Sequence, residues 1–401
     1  MNPRLAGLQS YPFEKLAQLI HGVTPPPGKA PVRLSVGEPQ HAAPAFVLEA
    51  LKSNLAGLSR YALTKGSASL RQTIAEWATR RFHLNSIALD PERHVLPLAG
   101  TREGLFSIAQ AMIDRNTESP PIVIMPNPFY QIYEGAALLA GAQPYFLNTT
   151  EETGFRMDFS RVPERIWERV QMIYICSPGN PTGSLLSHED LARLIGLAQQ
   201  HDFIIASDEC YSEIYLDEAN PPAGLLQVAN DLGIEDYRHC LAFHSLSKRS
   251  NLPGLRSGFV AGDGAVLTQY HLFRTYHGCA LPPPTQAASI AAWNDEAHVR
   301  ANRDQYRAKF DAVLKILKPV LAVEKPESSF YLWPKTPQDD ETFARELYAR
   351  ENVLTLPGSY LSRTAEGVNP GQNRIRMALV APLPECVEAA QRIRNYVESL
   401  G

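Results

Sequence analysis

The chain has 401 residues, of which 44% are hydrophobic and 20% charged, with a formal net charge of −4 at pH 7. This is the composition of an ordinary globular protein, and the length predicts two domains. The weak negative charge gives no electrostatic basis for binding nucleic acid, and no segment has the roughly 18 uninterrupted apolar residues of a membrane span.

The beginning of the chain and the cysteines indicate the compartment. Pro12, Glu14 and Lys15 interrupt the apolar residues that a secretory signal peptide would need. The five cysteines are scattered and form no Cys-x-x-Cys pair, so we expect neither a disulfide framework nor a metal site. We therefore expect a cytoplasmic protein.

Between about residues 95 and 262, short apolar runs alternate with helix-length stretches. One of these stretches, residues 188–198, has apolar residues at helical spacing. Continuous apolar strands that alternate with helices predict an α/β fold, in which helices cover both faces of a mostly parallel sheet. The predicted strands are 95–98, 122–125, 172–175, 203–206, 241–243 and 258–260.

After residue 286 the pattern changes. Residues 287–293 and 310–317 predict helices, 330–333 and 375–379 predict strands, and a closing helix is predicted near 384–399. This arrangement indicates a smaller α+β domain that the N-terminal segment joins. We place the large domain at residues 46–300 and the small domain at 1–45 and 301–401.

Polar residues follow the predicted strands where each strand ends. Ligands bind beyond the carboxyl ends of the strands in such sheets. Each of these residues alone is more often a turn or cap residue, but together they predict a pocket at one edge of the sheet. They are Gly100 with Thr101, Asn127, Asn180, Asp208, and Ser245 with Lys248.

Five of the side chains at or after these strand ends have the chemistry to hold an aldehyde cofactor. Lys248 can form an imine with the aldehyde, and Asp208 can pair with a ring nitrogen. Ser245, Ser247 and Arg256 can bind a phosphate group. Although most lysines lie on the surface and many such aspartates are helix caps, the combination predicts pyridoxal 5′-phosphate.

Several short motifs occur in a characteristic order. In that order and spacing, they resemble the class I/II, or aspartate aminotransferase, family of fold-type I pyridoxal phosphate enzymes over nearly the whole chain. The resemblance implies a three-layer αβα fold and a homodimer with shared active sites. The motifs are residues 35–39, Tyr61 with Gly66 and Leu70-Arg71, Gly100-Thr101, 126–130, 180–183, 208–211, 245–248, Arg256 and Arg376.

The resemblance also implies roles around the cofactor. Tyr211 and Asn180 would bind its O3′, Tyr130 would stack on its ring, and Tyr61 would reach its phosphate from the neighbouring subunit. On residue type alone, Tyr130 is more often a core tyrosine, and Asn180 begins an Asn-Pro-Thr-Gly turn. Gly100 and Thr101 precede an apolar helix whose N-terminal amides should face the phosphate.

The substrate α-carboxylate needs a fork-shaped donor. Arg374 and Arg376 lie two apart in a predicted strand and therefore on one face. The family pattern selects Arg376, with Asn180 beside it, and leaves Arg374 as a salt-bridged surface residue. Gly37 would let its backbone N–H approach the same carboxylate. No counterpart of the arginine that binds the distal carboxylate in strict aspartate aminotransferases is found.

Within the family, residues 8–16, 34–39 and 247–258 are most similar to bacterial N-succinyldiaminopimelate aminotransferases. This similarity implies amino transfer between glutamate and N-succinyl-2-amino-6-oxopimelate in lysine biosynthesis. Two alternatives stay open on the same fold: a broader aminotransferase for aspartate, alanine or aromatic acids, and a carbon–sulfur lyase. A non-catalytic regulatory domain would need a basic DNA-binding module, which this sequence lacks.

Overall fold

The computed structural model describes residues 2–400, which form twelve strands and fourteen helices besides short 3₁₀ turns. The strands are β1 (Val32–Arg33), β2 (Val95–Leu98), β3 (Ile122–Asn127), β4 (Gln143–Asn148), β5 (Val170–Cys176), β6 (Ile204–Asp208), β7 (Cys240–Ser245), β8 (Gly258–Gly262), β9 (Tyr331–Leu332), β10 (Val353–Leu354), β11 (Leu356–Pro357) and β12 (Ile375–Ala378).

The helices are α1 (Pro12–Leu19), α2 (Ala45–Ser53), α3 (Ala68–Phe82), α4 (Thr101–Met112), α5 (Ile132–Ala140), α6 (Glu164–Trp167), α7 (His188–His201), α8 (Leu225–Asp231), α9 (Leu246–Arg249), α10 (Gly264–His277), α11 (Pro283–Trp293), α12 (Ala297–Leu317), α13 (Asp340–Glu351) and α14 (Leu383–Glu398). Within residues 2–400, none of these helices is long and apolar enough to cross a membrane.

Seven strands form the central sheet in the order β2-β8-β7-β6-β5-β3-β4. Strand β8 runs antiparallel to both of its neighbours, whereas the other pairs are parallel. Successive side chains of a strand point to opposite faces: in β3, Ile122 and Ile124 pack in one apolar cluster, and Val123 and Met125 pack in another. The predicted α/β fold with a mostly parallel, doubly covered sheet is confirmed.

A second core lies around a small antiparallel sheet in the order β11-β12-β9. Its apolar cluster joins side chains of α12, α13 and α14 with Val32 and Leu34 from the N-terminal segment. The segment is tied to this core because β1 pairs in parallel with β10. The domain limits at residues 45/46 and 300/301 stay a prediction, and α12 continues across the second of them.

The topology brings the polar strand ends together. Strands β5, β6 and β7 are parallel neighbours, and β2 runs in the same direction as β7 because β8 reverses between them. Their carboxyl ends therefore lie at one edge of the sheet. There the chain continues into Gly100 after β2, Asn180 after β5 and Lys248 after β7, and β6 ends at Asp208.

Candidate active site

A cavity of about 550 Å³ opens at this edge of the sheet, between the central sheet and the small antiparallel sheet. Eleven of the predicted site residues line it, whereas Gly100, Tyr61 and Asn127 do not; the Asn127 side chain is buried and donates to Asn148 and to the carbonyl oxygen of Arg363 instead. The eleven are Gly37, Thr101, Tyr130, Asn180, Asp208, Tyr211, Ser245, Ser247, Lys248, Arg256 and Arg376. Gly100 directly precedes the lining residue Thr101, and Tyr61 lies elsewhere.

Lys248 lies on the four-residue helix α9, directly after β7. The hydroxyl of Ser245 caps this helix by accepting the N–H of Ser247 at 3.1 Å. The Lys248 Nζ donates to the carbonyl oxygen of Gly37 at 2.5 Å. Burial, together with the positive charge of Arg376, lowers the pKa of Lys248 to about 8. The neutral, reactive form of this amine is therefore far more populated near physiological pH than it is for a lysine of ordinary pKa.

Asp208 ends strand β6 and is only 4% exposed. Its Oδ1 accepts the N–H of Cys210 at 3.2 Å, and its Oδ2 accepts the hydroxyl of Tyr133 at 2.6 Å. Burial raises the pKa of Asp208, and the hydrogen bonds from Cys210 and Tyr133 oppose that rise. Tyr133 was not among the sequence candidates, because nothing in the sequence separates it from an ordinary core tyrosine.

Arg376, on β12, has two of its three guanidinium nitrogens in hydrogen bonds to the protein. Its Nη1 donates to Asn180 Oδ1 at 3.0 Å, and its Nη2 donates to the carbonyl oxygen of Ser35 at 2.8 Å. Its buried Nε has no hydrogen-bond partner within residues 2–400. Since an unpaired buried donor costs about 1–3 kcal/mol, this guanidinium is suited to an anionic oxygen from a ligand.

Two tyrosines close the side of the cavity beside Gly37. The hydroxyls of Tyr211 and Tyr331 are 2.9 Å apart, and the Tyr331 ring lies 4.7 Å from the Arg376 guanidinium carbon. A Cβ atom at position 37 would lie 2.0 Å from the Tyr331 hydroxyl oxygen. Position 37 therefore requires glycine for steric reasons, and Tyr331 is a cavity residue that sequence reasoning missed.

Hydrogen-bond donors suited to a phosphate also line the cavity. Gly100 has φ = 83° and is the N-cap of α4, so the first amides of that helix lie at the cavity. Arg256 lies over this turn: a Cβ atom at position 100 would be 2.2 Å from its Nη2. Ser245, Ser247 and Arg256 line the same cavity. This set of donors fits a phosphate dianion.

Arg102 is a further cation in the cavity that the sequence analysis overlooked. It follows Thr101 on α4, and its Nε donates to the hydroxyl of Tyr130 at 2.6 Å. Tyr11 and Phe13 line the cavity as well. Arg102 lies in the Gly-Thr-Arg sequence directly after β2, and its place at a strand's carboxyl end was the only signal that could have identified it.

Two other candidates lie outside the cavity. Tyr61 is fully exposed, so its predicted contact with a neighbouring subunit stays a prediction. Arg374 forms an ion pair with Glu151 and donates to the carbonyl oxygen of Trp333 at 2.8 Å. The expectation that Arg374 is salt-bridged agrees with these contacts. The residue is only 6% exposed, however, so it does not lie at the surface as expected.

The side chains together fit pyridoxal phosphate. Lys248 is a partly neutral amine in the cavity, Asp208 is a buried carboxylate at its floor, and the start of α4 with Arg256 forms an anion site. Such a set provides an imine-forming group, a partner for a pyridine nitrogen and a phosphate site.

Comparisons with known proteins agree with this chemistry. The family model described as aminotransferase class I and II matches residues 29–393. The LL-diaminopimelate aminotransferase of Desulforudis audaxviator is 30% identical over 98% of this chain and 96% of its own length. A crystal structure of an aminotransferase from Neisseria meningitidis Z2491 has a TM-score of 0.94 and 45% identity, covering 99% of this chain and 100% of that one.

A more distant solved structure, described as a probable N-succinyldiaminopimelate aminotransferase from Thermus thermophilus, has a TM-score of 0.82 at 25% identity. It covers 96% of this chain and 99% of its own. The predicted family and cofactor are confirmed. The chain belongs to the class I and II aminotransferases, the fold-type I enzymes that use pyridoxal 5′-phosphate.

Proposed function

We propose that the protein transfers an amino group between glutamate and N-succinyl-2-amino-6-oxopimelate. The observation that carries this proposal is the pair of cations in one cavity, Arg376 beside Asn180 and Arg102 beside Tyr130. Glutamate and the succinylated substrate each carry a second carboxylate besides the α-carboxylate. The likeness to the probable N-succinyldiaminopimelate aminotransferase supports the same assignment.

In this proposal Arg376 binds the α-carboxylate. Its unpartnered Nε–H and its Nη groups can supply the bidentate geometry that a carboxylate prefers. Gly37 keeps side-chain atoms away from that carboxylate, and Tyr331 packs against Gly37. Arg102 binds the distal carboxylate through charge attraction. Tyr11 and Phe13 line the same cavity. Glutamate and the longer acceptor therefore use the same α-carboxylate site.

When bound, pyridoxal phosphate supplies the aldehyde that exchanges for an amine and a ring that delocalises electrons from the substrate α-carbon. Lys248 then moves a proton at that carbon, for which a pKa near 8 is well matched to neutral pH. Asp208 would place a negative charge against the ring nitrogen, and Tyr211, whose hydroxyl lies 2.9 Å from that of Tyr331, would donate a hydrogen bond to the cofactor's O3′. The start of α4 and Arg256 hold the phosphate.

A second candidate substrate is LL-diaminopimelate, which the curated relatives name. Its distal end carries both an ammonium and a carboxylate group. Glu38 lines the cavity together with Arg102, so the two side chains could pair with those two groups. A broader aminotransferase and a carbon–sulfur lyase remain as the alternatives that the same catalytic residues would permit.

A substrate screen separates these candidates. The cofactor-loaded protein is assayed with glutamate and the succinylated acceptor, with LL-diaminopimelate and 2-oxoglutarate, with aspartate or alanine and 2-oxoglutarate, and with cystathionine alone. We expect the succinylated pair to give the highest kcat/KM and the Lys248→Ala variant to give none. A higher kcat/KM with LL-diaminopimelate would refute the proposed acceptor, and pyruvate and ammonia from cystathionine would indicate the lyase.

We also propose that the protein acts as a homodimer with shared active sites. Several large apolar side chains near Tyr61 in the sequence are exposed, including Leu55, Leu58 and Leu63. A patch of this kind is typical of an interface between subunits. Sedimentation analysis of the cofactor-loaded protein should give a mass near twice 44.4 kDa, and a stable, fully active monomer would contradict the proposal.

A further inference from the structure

Within residues 2–400, a buried lysine outside the cavity has no carboxylate as its hydrogen-bond acceptor. Lys309, on α12, is only 2% exposed. Its Nζ donates to Nε2 of His41 at 2.6 Å and to the carbonyl oxygen of Val380 at 3.2 Å. A buried ammonium is costly unless its hydrogen bonds are made, so these contacts indicate that the group has a defined place in the fold.

The contact with Lys309 determines which nitrogen of His41 carries a hydrogen. An ammonium group has donors only, so Nε2 of His41 must be the acceptor. Burial lowers the pKa of His41, which favours the neutral ring. In a neutral ring the hydrogen is then on Nδ1, and Nδ1 donates to Oδ1 of Asn302 at 2.7 Å.

Asn302 receives a second donor at the same oxygen, since Nδ2 of Asn251 lies 3.1 Å from it. Two donors at Oδ1 fix the orientation of the amide and exclude its flipped form. The amide nitrogen of Asn302 therefore points the other way, where it donates to the carbonyl oxygens of Lys248 and Arg249 at 3.3 Å each. Asn302 is 1% exposed, so water does not replace these bonds.

These two carbonyls belong to a helix that cannot satisfy them itself. Helix α9 has four residues, and the last carbonyls of any helix lack an intrahelical partner. The chain leaves α9 through Asn251 in the left-handed conformation, with φ = 53°. Asn302 thus contacts the last two residues of the helix and Asn251, two positions beyond its end. His41 comes from the same segment as Gly37, whose carbonyl accepts the Lys248 amine.

We propose that His41 and Asn302 are positioning residues for Lys248, with Lys309 selecting the tautomer of His41 that they need. The three side chains hold the backbone of α9 so that the Lys248 amine stays beside Gly37. This inference rests on the proposed role of Lys248. Neither His41 nor Asn302 lines the cavity, so both act on the reaction through the backbone of α9.

Hydrogen–deuterium exchange of the cofactor-free protein tests the proposal without reference to activity. Asn302→Asp keeps the acceptor for His41 and Asn251 but removes the two N–H donors to α9. Gln305→Glu makes the same amide-to-acid change at an exposed position of α12 and serves as the matched control. His41 is half-buried. The variant His41→Leu removes both hydrogen bonds, whereas His41→Asn can keep the donor to Asn302 and loses only the contact with Lys309.

We expect Asn302→Asp and His41→Leu to speed exchange of the amides of residues 246–252 at least about 10-fold, with the central strands unchanged. In the cofactor-loaded enzyme, kcat should fall about 10-fold while KM stays within about 2-fold. His41→Asn should keep most of the slow exchange at residues 246–252 and most of kcat. Gln305→Glu should match the wild type in both measurements. If Asn302→Asp fails to fold, the comparison of His41→Leu with His41→Asn tests the proposal.

Unchanged exchange at residues 246–252 in these variants would overturn the proposal. Faster exchange throughout the protein would also overturn it, because the residues would then only stabilise the fold. These results do not depend on the substrate. If the wild type transferred no amino group, the proposed function would fail, but the exchange pattern would still decide whether His41 and Asn302 hold α9.

Discussion

Replacing Tyr133 with phenylalanine tests how Asp208 is kept charged. The Tyr133 hydroxyl donates to Asp208 Oδ2 at 2.6 Å, and both side chains are buried. A hydrogen bond to a charged group contributes about 1.5–3 kcal/mol, which corresponds to about 10- to 150-fold in rate or affinity. Because that bond lowers the pKa of Asp208 against the effect of burial, its loss should raise the pKa and favour the neutral acid.

The assay is the pH dependence of kcat/KM, with cofactor affinity measured alongside. Since Asp208 must be ionised in the proposed mechanism, activity is lost as the pH falls through its pKa, and Tyr133→Phe should move that acid limb to higher pH. Cofactor affinity and kcat/KM near neutral pH should each fall within the range given above, because both depend on the carboxylate charge facing the ring nitrogen.

The matched control is Tyr174→Phe. The two tyrosine rings stack with centroids 4.7 Å apart, and both are fully buried. The Tyr174 hydroxyl, however, donates to the carbonyl oxygen of Leu105 at 2.6 Å and not to Asp208. Tyr174→Phe should reduce stability without moving the acid limb. If the two variants gave the same pH profile and the same cofactor affinity, the reasoning about Asp208 would be refuted.

Three further predictions concern the substrate and the subunits. Arg376→Ala should lower kcat/KM for every α-carboxylate substrate together, by at least about 10-fold, whereas a loss confined to one substrate would make Arg376 a specificity residue. Arg102→Gln should raise KM for substrates with a distal carboxylate and leave KM for alanine unchanged; equal effects on both would exclude Arg102 from the distal site. Mixing Tyr61→Ala and Lys248→Ala subunits should recover part of the activity in heterodimers, and no recovery after verified exchange would argue against shared sites.

Sequence patterns predicted six of the seven strands of the central sheet because those strands are largely buried on both faces. They missed the edge strand β4, whose side chains are mostly only partly buried. The predicted strand 95–98 is β2 itself, while β5 and β7 extend a residue or two beyond their predicted limits. Strand ends depend on backbone pairing with neighbouring strands, and the apolar pattern carries no information about that pairing. Lys248, Asp208 and Arg376 were found because each lies in a motif whose chemistry needs that residue type, and the fold brings them to one cavity.

The residues that sequence reasoning missed act through contacts between distant parts of the chain. Asn302 reaches Lys248 across 54 positions, and Lys309 reaches His41 across 268. Tyr133 and Tyr331 look like ordinary core tyrosines in the sequence, and only the fold shows that their hydroxyls meet Asp208 and Tyr211. Such roles follow from packing, which neither periodicity nor a local motif specifies.

The most direct test of the central assignment is to locate the covalent attachment of the cofactor. The protein loaded with pyridoxal phosphate is reduced with borohydride, digested and analysed by mass spectrometry. We expect the phosphopyridoxyl group on Lys248 alone. Lys309 is a built-in comparison, because burial lowers its pKa to about 8 as well although it lies outside the cavity. A modified Lys309 with an unmodified Lys248, or a protein that stays unlabelled, would contradict the account.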